Sequence, residues 1–316
     1  MKIAWVLGGS GLLGAALCRE LRRQGAEVFL PAERLRWGTG PELAAQIRRA
    51  VQAFAFRVGA DCQWEIYWAA GVGTMSSSES ALAPETYALS LALELIASQQ
   101  SLMSAPGAIA FASSAGAIYA GSSDEIITED TMPAPTTAYA REKLKQEELV
   151  RSFALATDGT AALIARISTL YGPGQASGKQ QGLLAHIARS ILRNQPIQIY
   201  VPYDTIRDYI AADDAAAGMI TSLRAAGKKP RVLLKIIASE HPVTIAEIVS
   251  VFRRIVRRTP RIVTSASSLS ALYSRRVQFR SIALRENARV AARQLPVGIA
   301  QLMAAERSAF VQARVR

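Results

Sequence analysis

The 316 residues are half apolar, enough for a large core in one α/β domain with a substantial accessory lobe. No apolar stretch approaches the roughly 20 residues a membrane-spanning helix needs, and Met1-Lys2-Ile3 leads into a glycine-broken segment with no small-x-small cleavage site, so a cytoplasmic protein is expected. Cys18 and Cys62 give no disulfide framework, and the net charge of +12 is confined to residues 253–316, where fourteen arginines face two glutamates.

Ile3 to Leu7 is a short apolar run of strand type, followed at once by Gly8-Gly9-Ser10-Gly11-Leu12-Leu13-Gly14 and a helical segment from Ala15 to Leu21. Glu27 to Leu30 reads as the second strand and Arg34 to Trp37 as a short third one. A helix runs from Pro41 to about Arg57. Trp64 to Trp68 is the fourth strand, delivered into Ala69-Ala70-Gly71-Val72-Gly73, and a long helix follows from Pro84 to about Met103. Ala108 to Ala112 is the fifth strand, ending at Ser113-Ser114. Pro135 precedes a helix carrying Tyr139 and Lys143, and Ala161 to Ile167 is the sixth strand. Beyond Gly174 come a helix from Gly182 to Asn194, short strands at Ile197–Tyr200 and Arg207–Ile210, a helix capped by Asp213, and a strand at Val232–Ile237. From Thr244 the chain reads as largely helical, broken by Pro260 and Pro296. Strands alternating with helices predict a doubly wound parallel Rossmann sheet with a smaller mixed α/β, mostly helical C-terminal lobe. Residues 1–173 plus about 205–240 would form the dinucleotide-binding domain, and 174–204 plus 241–316 the substrate lobe.

Two motifs carry chemistry. A glycine-rich loop between strand and helix lets the backbone approach a pyrophosphate, and the helix N-terminus offers unpaired N–H groups. Gly8, Ser10, Gly11, Leu12, Leu13 and Gly14 are the candidates for that contact, with Ala69, Ala70 and Gly71 after the fourth strand. Tyr139-x-x-x-Lys143 sets a phenol and an ammonium on one helical face. Roughly 0.2 such pairs are expected by chance in a chain of this composition, so the pair gains weight only beside the glycine loop. A phenol next to a cation, close to a nicotinamide, can move a proton while a hydride leaves or joins a carbinol carbon.

The ordered set of Gly8/Gly11/Gly14, Ala69-Ala70-Gly71, Phe111 to Ser114, Tyr139-x-x-x-Lys143, Arg166 with Tyr171-Gly172-Pro173-Gly174, and Arg207-Asp208-Tyr209-Ile210 resembles the extended short-chain dehydrogenase/reductase family, in its nucleotide-sugar epimerase/dehydratase branch. The resemblance implies that Tyr139 is the general acid/base, that Lys143 favours the phenolate and meets the nicotinamide ribose, and that Ser114, or else Ser113, binds the reacting oxygen. Thr169 falls at a substrate-pocket position. Arg207 and Arg276 (or Arg275) would clamp a substrate diphosphate. The family also implies a homodimer.

Departures from the pattern include Trp68, Ser90 and Val201 to Thr205. Ala115-Gly116 replace the Asp-Glu pair of dehydratases, which disfavours elimination. After the second strand Glu33 suits the ribose diol of NAD and Arg34 the phosphate of NADP, with NADP slightly favoured. The expected activity is an NAD(P)-dependent epimerase or reductase on a nucleotide-activated sugar, with no metal. The alternatives are a family oxidoreductase on a non-sugar alcohol or ketone and a non-catalytic dinucleotide sensor with a basic interaction lobe. The arginine excess reads first as compositional bias with a local diphosphate site, and no nucleic-acid partner is expected.

Overall fold

The computed structural model describes residues 1–38, 40–59, 62–175, 182–226, 231–257, 260–264, 276–284 and 292–315. In chain order the first half comprises β1 (Lys2–Leu7), α1 (Leu12–Arg23), β2 (Glu27–Phe29), α2 (Pro41–Val58), β3 (Gln63–Trp68), α3 (Glu79–Ala97), α4 (Gln100–Ser104), β4 (Gly107–Ser114), the single turn α5 (Ala115–Ile118) and α6 (Ala138–Ala156). The second half comprises β5 (Thr160–Ile167), β6 (Thr169–Tyr171), α7 (Leu183–Leu192), β7 (Ile197–Ile199), β8 (Ile206–Ala211), α8 (Ala212–Ala226), β9 (Val232–Ile237), β10 (Pro242–Thr244), α9 (Ile245–Val256), β11 (Ile262–Thr264) and α10 (Leu295–Val315).

Six strands form one sheet in the order β2-β1-β3-β4-β5-β9, every neighbouring pair parallel. Strands covered on both faces need no polar side, and β5 is accordingly buried at all eight positions. Arg166 is the charged exception in that strand. On one face Ile47, Phe54, Leu89 and Leu93 pack against Trp5, Ile66 and Ile109. On the other, Leu13, Leu17 and Leu21 of α1 meet Met219, Ile220 and Leu223 of α8 over Ala4, Tyr67 and Leu163. From β1 the chain goes outward to β2, then returns to β3 on the other side. The strand order therefore reverses between β1 and β3, where open α/β sheets bind ligands.

A separate core joins α7, α9 and α10, with Leu184, Ile187, Ile199, Ile248, Phe252, Ile299 and Leu302 buried together. Above the main sheet, β8 pairs with β6 in parallel and with β10 antiparallel, and β7 pairs with β11.

Several predicted elements differ. Arg34 to Trp37 is not a strand: only Leu35 is buried there, and the Arg36 N–H donates to the Gln46 side chain rather than to a neighbouring strand. The long helix starts at Glu79 rather than Pro84, because Ser78 caps it by accepting the Ala81 N–H, and Pro84 lies inside. It ends at Ala97, with α4 a separate turn. Strand β4 continues through both serines, which stay in register with Arg166 and Ile167 of β5. Helix α8 begins at Ala212, directly after β8, which puts Asp213 in its first turn. Strand β11 falls where a largely helical segment was expected, and Thr244 closes a capping box with Glu247 at the start of α9.

Candidate active site

The mouth of the site is shaped by missing side chains. Gly8 has φ +84°, and a Cβ there would lie 2.6 Å from Ala69 O and Ala70 N. A Cβ on Gly14 would overlap the Gly8 carbonyl, so only glycine lets α1 start this close to β1. Gly11 is the N-cap of α1. No side chain caps this helix and no acid occupies its first turn, which leaves its leading N–H groups for an anion. Leu13 is buried while Ser10 is exposed at the crest of the loop, and the Leu12 side chain lies against Gly172. These residues fit a dinucleotide pyrophosphate.

The segment after β3 carries the geometry onward. It begins with Ala69 and Ala70 against Gly8 and ends at Gly73, where a Cβ would lie 3.3 Å from Cδ2 of the Tyr139 ring. Five residues thus link the glycine loop to the phenol.

Tyr139 and Lys143 lie on α6, whose N-cap Thr137 accepts the Ala140 N–H. The Tyr139 side chain comes up beside Ser114 at the end of β4, and Ser114 acts to hold the phenol's pKa down. Burial, reinforced by the Glu85 carboxylate and opposed by Ser114, pushes the phenol up to about 12. The Lys143 Nζ sits 5.8 Å from the Tyr139 ring centroid and 4.9 Å from that of Phe111. It donates to Gln146 Oε1 at 3.0 Å and to Ala112 O at 3.5 Å, and the Gln146 amide donates on to Thr86 Oγ1 at 2.9 Å. Burial pulls the ammonium below its usual range, while Glu85 and Glu147 act to keep it charged. The ammonium donates to Gln146 and Ala112 rather than to the phenol oxygen.

Beneath these groups lies a closed ionic cluster. Ser113 is buried and donates to Glu147 Oε1 at 2.5 Å, and Arg166 grips the same carboxylate with Nε at 3.0 Å and Nη2 at 2.7 Å. Arg166 Nη1 also donates to the Tyr119 hydroxyl. A buried pair of this kind holds only when every polar atom is satisfied, and here it is. Ser113 is therefore bound to Glu147 and not to the phenol.

On the substrate side, Thr169 is exposed on β6. Arg207 lies on β8 next to Asp208, which is buried and accepts from Ser168 Oγ at 2.6 Å and from Ser239 N and Oγ at 2.9 Å each. Arg276 forms an isolated parallel bridge with Ile206, so its backbone runs beside that of Arg207. Arg275 lies outside the described residues. On the cofactor side, Glu33 is committed to Arg49 and Gln46 (2.5–3.1 Å), while Arg34 is exposed and makes no ion pair among the described residues.

The profile of the NAD dependent epimerase/dehydratase family matches residues 4–234, from β1 into β9. The chain belongs to that family. A dTDP-L-rhamnose 4-epimerase of Burkholderia thailandensis is 34% identical over 94 residues, which is 29% of this chain and 26% of the relative. A dTDP-4-dehydro-6-deoxyglucose reductase of Escherichia coli is 34% identical over 119 residues, 38% of this chain and 37% of the relative. The matched stretches thus span about a quarter to two fifths of these relatives. The solved structure of MoeE5 in complex with UDP-glucose and NAD superposes with TM-score 0.78 at 20% identity, over 98% of this chain and 100% of that one. At that identity the likeness concerns the fold.

Within this family member, sequence reasoning missed Glu85, Gly73, Thr86, Gln146 and Glu147. Glu147 had a signal: an arginine inside the apolar strand Ala161–Ile167 demands a buried partner, and Glu147 lies one turn beyond Lys143. Gln146 and Thr86 had none.

Proposed function

We propose that this protein transfers hydride between a nicotinamide dinucleotide and a carbinol or ketone carbon of a nucleoside-diphosphate sugar, as an epimerase or a reductase. Tyr139, Ser114 and Lys143 are its catalytic set. The observation that carries the reading is the path from Gly8 through Ala69–Gly73 to the Tyr139 ring, with Ser114 and Lys143 beside that ring. The nicotinamide supplies or takes the hydride. In reduction Tyr139 gives its proton to the carbonyl oxygen of the sugar; in oxidation it takes the hydroxyl proton, with Ser114 holding the same oxygen. Lys143 offsets negative charge on the phenol and donates to the ribose hydroxyls. Arg207 and Arg276 hold the diphosphate. Alanine and glycine follow Ser114, so no carboxylate stands there for an elimination.

A phenol pushed up to about 12 is protonated at neutral pH, and net reduction can start from that resting form. Oxidation, the first half of an epimerisation, needs the proton gone before turnover. Exposed Arg34 and the committed Glu33 make a 2′-phosphate acceptable, so NADPH is bound as well as NADH, with a slight preference for the former.

Mass spectrometry of co-purified ligands, followed by assays with UDP- and dTDP-linked sugars and keto-sugars, tests the reading. Interconversion of sugars with NAD retained marks an epimerase, and one NADPH consumed per sugar marks a reductase. Failure of every nucleotide sugar to bind or turn over sinks both.

A further inference from the structure

Glu85 stands in the site with no part in the reaction as described. It lies on the second turn of α3, half-buried, and its Oε1 accepts the N–H groups of Val72 at 2.6 Å and Gly73 at 2.7 Å. Those N–H groups belong to the five-residue link between Gly8 and Tyr139. The second oxygen, Oε2, faces Gly71, where a Cβ would lie 3.0 Å away. At Gly73 a Cβ would meet Glu85 Oε1 at 3.4 Å and the Tyr139 ring at 3.3 Å. The carboxylate thus holds the loop backbone directly, and the phenol ring lies close to the same glycine.

Tethering two N–H groups requires only an acceptor, and an amide oxygen would serve. A carboxylate adds charge, and here its neighbours are the reacting groups. Around the phenol, α3 contributes Glu85, α6 contributes Lys143, and β4 contributes only the uncharged Ser114. Glu147 reaches Lys143 from lower on α6, where it is already held by Arg166. Glu85 opposes ionisation of Tyr139 and supports the Lys143 ammonium.

We propose that Glu85 is a positioning residue for Tyr139. Through Val72 and Gly73 it fixes the loop beside the phenol ring, and it sets a negative charge next to that ring. The inference rests on Tyr139 being the acid/base of the proposed reaction, yet it makes a separate claim about a residue that touches neither sugar nor hydride.

The test uses the full chain as wild type, Glu85→Gln and Glu85→Ala, each with a Tyr139→Phe counterpart. Phenolate absorbance is titrated with NAD bound, and the difference between each variant and its counterpart isolates Tyr139. NADH affinity is read by fluorescence. In Glu85→Gln the acceptor remains and the charge is gone: NADH affinity stays within about twofold, and Tyr139 ionises at lower pH by about one unit. In Glu85→Ala the loop loses its tether and NADH binding weakens about tenfold. The proposal is overturned if the Glu85→Gln titration superimposes on wild type, or if Glu85→Ala binds NADH as wild type does. Neither measurement uses a sugar. A shifted phenol in an enzyme that turns over no nucleotide sugar leaves the role of Glu85 standing and removes the proposed substrate.

Discussion

The two sides of the site are built by opposite means. On the cofactor side Gly8, Gly14 and Gly73 make room by lacking a Cβ, which would meet backbone at the first two and the Leu82 and Tyr139 side chains at the third. On the substrate side long arginines from β8 and from residue 276, far apart in sequence, are brought alongside by a single bridge at Ile206. A surface made of backbone tolerates almost no substitution, whereas one made of flexible side chains can be retuned one residue at a time.

Four experiments break or sharpen the contrast. The largest effect belongs to Tyr139→Phe, which stands where the two sides meet. Turnover should fall about 10²–10⁴-fold, with NADH and nucleotide affinities near wild type by titration calorimetry. Retained turnover would remove the phenol from the mechanism. Next, Gly14→Ala should cost about 3 kcal/mol in urea unfolding, because its Cβ meets the Gly8 carbonyl, and it should abolish NADH binding. A stable, cofactor-binding Gly14→Ala protein would mean the loop has slack. Arg207→Ala should act on the substrate side alone, weakening UDP binding by about 1.5–3 kcal/mol while NADH binding is unchanged. Equal losses of both ligands would erase the distinction between the sides.

The smallest effect is a pH dependence. Tyr139, Tyr171 and Tyr209 are each pushed up to about 12, chiefly by burial, against 10.0 for an unperturbed phenol. Folding favours their protonated forms, so this contribution is fully present below pH 10. It is lost as pH rises towards 12, where the unfolded chain has released protons that the native one still holds. Stability should therefore decline across that interval, and Tyr209→Phe should move the alkaline unfolding midpoint to higher pH. A midpoint unchanged or lowered would contradict the sign.

The cofactor side was legible because its signals are local. A strand, a glycine loop and a helix follow within the first 23 residues, and Tyr139 and Lys143 are one helical turn apart. The choice between Ser113 and Ser114 was not, since it depends on which face of β4 each presents. The structure binds Ser113 to Glu147, while Ser114, its neighbour on β4, lies beside Tyr139. Glu85 was hidden by Pro84, which looked like a helix start and made the next residue an ordinary first-turn acid. The cap is Ser78, so Glu85 falls one turn deeper, facing the loop. Arg34 to Trp37 misled because an apolar residue between charged ones imitates a half-buried strand, while the actual N–H partner is a side chain of α2.

The link from Ala69 to Gly73 begins against Gly8, ends beside the Tyr139 ring, and is tied at Val72 and Gly73 by Glu85. It behaves as a rigid spacer whose length is a design parameter. One extra residue inserted at Val72 would leave both halves folded yet out of step, with ligand uptake intact and proton delivery misaligned. Exchanging the arginine-bearing segments for those of a relative would leave this spacer untouched, which makes it the natural seam for building chimaeras.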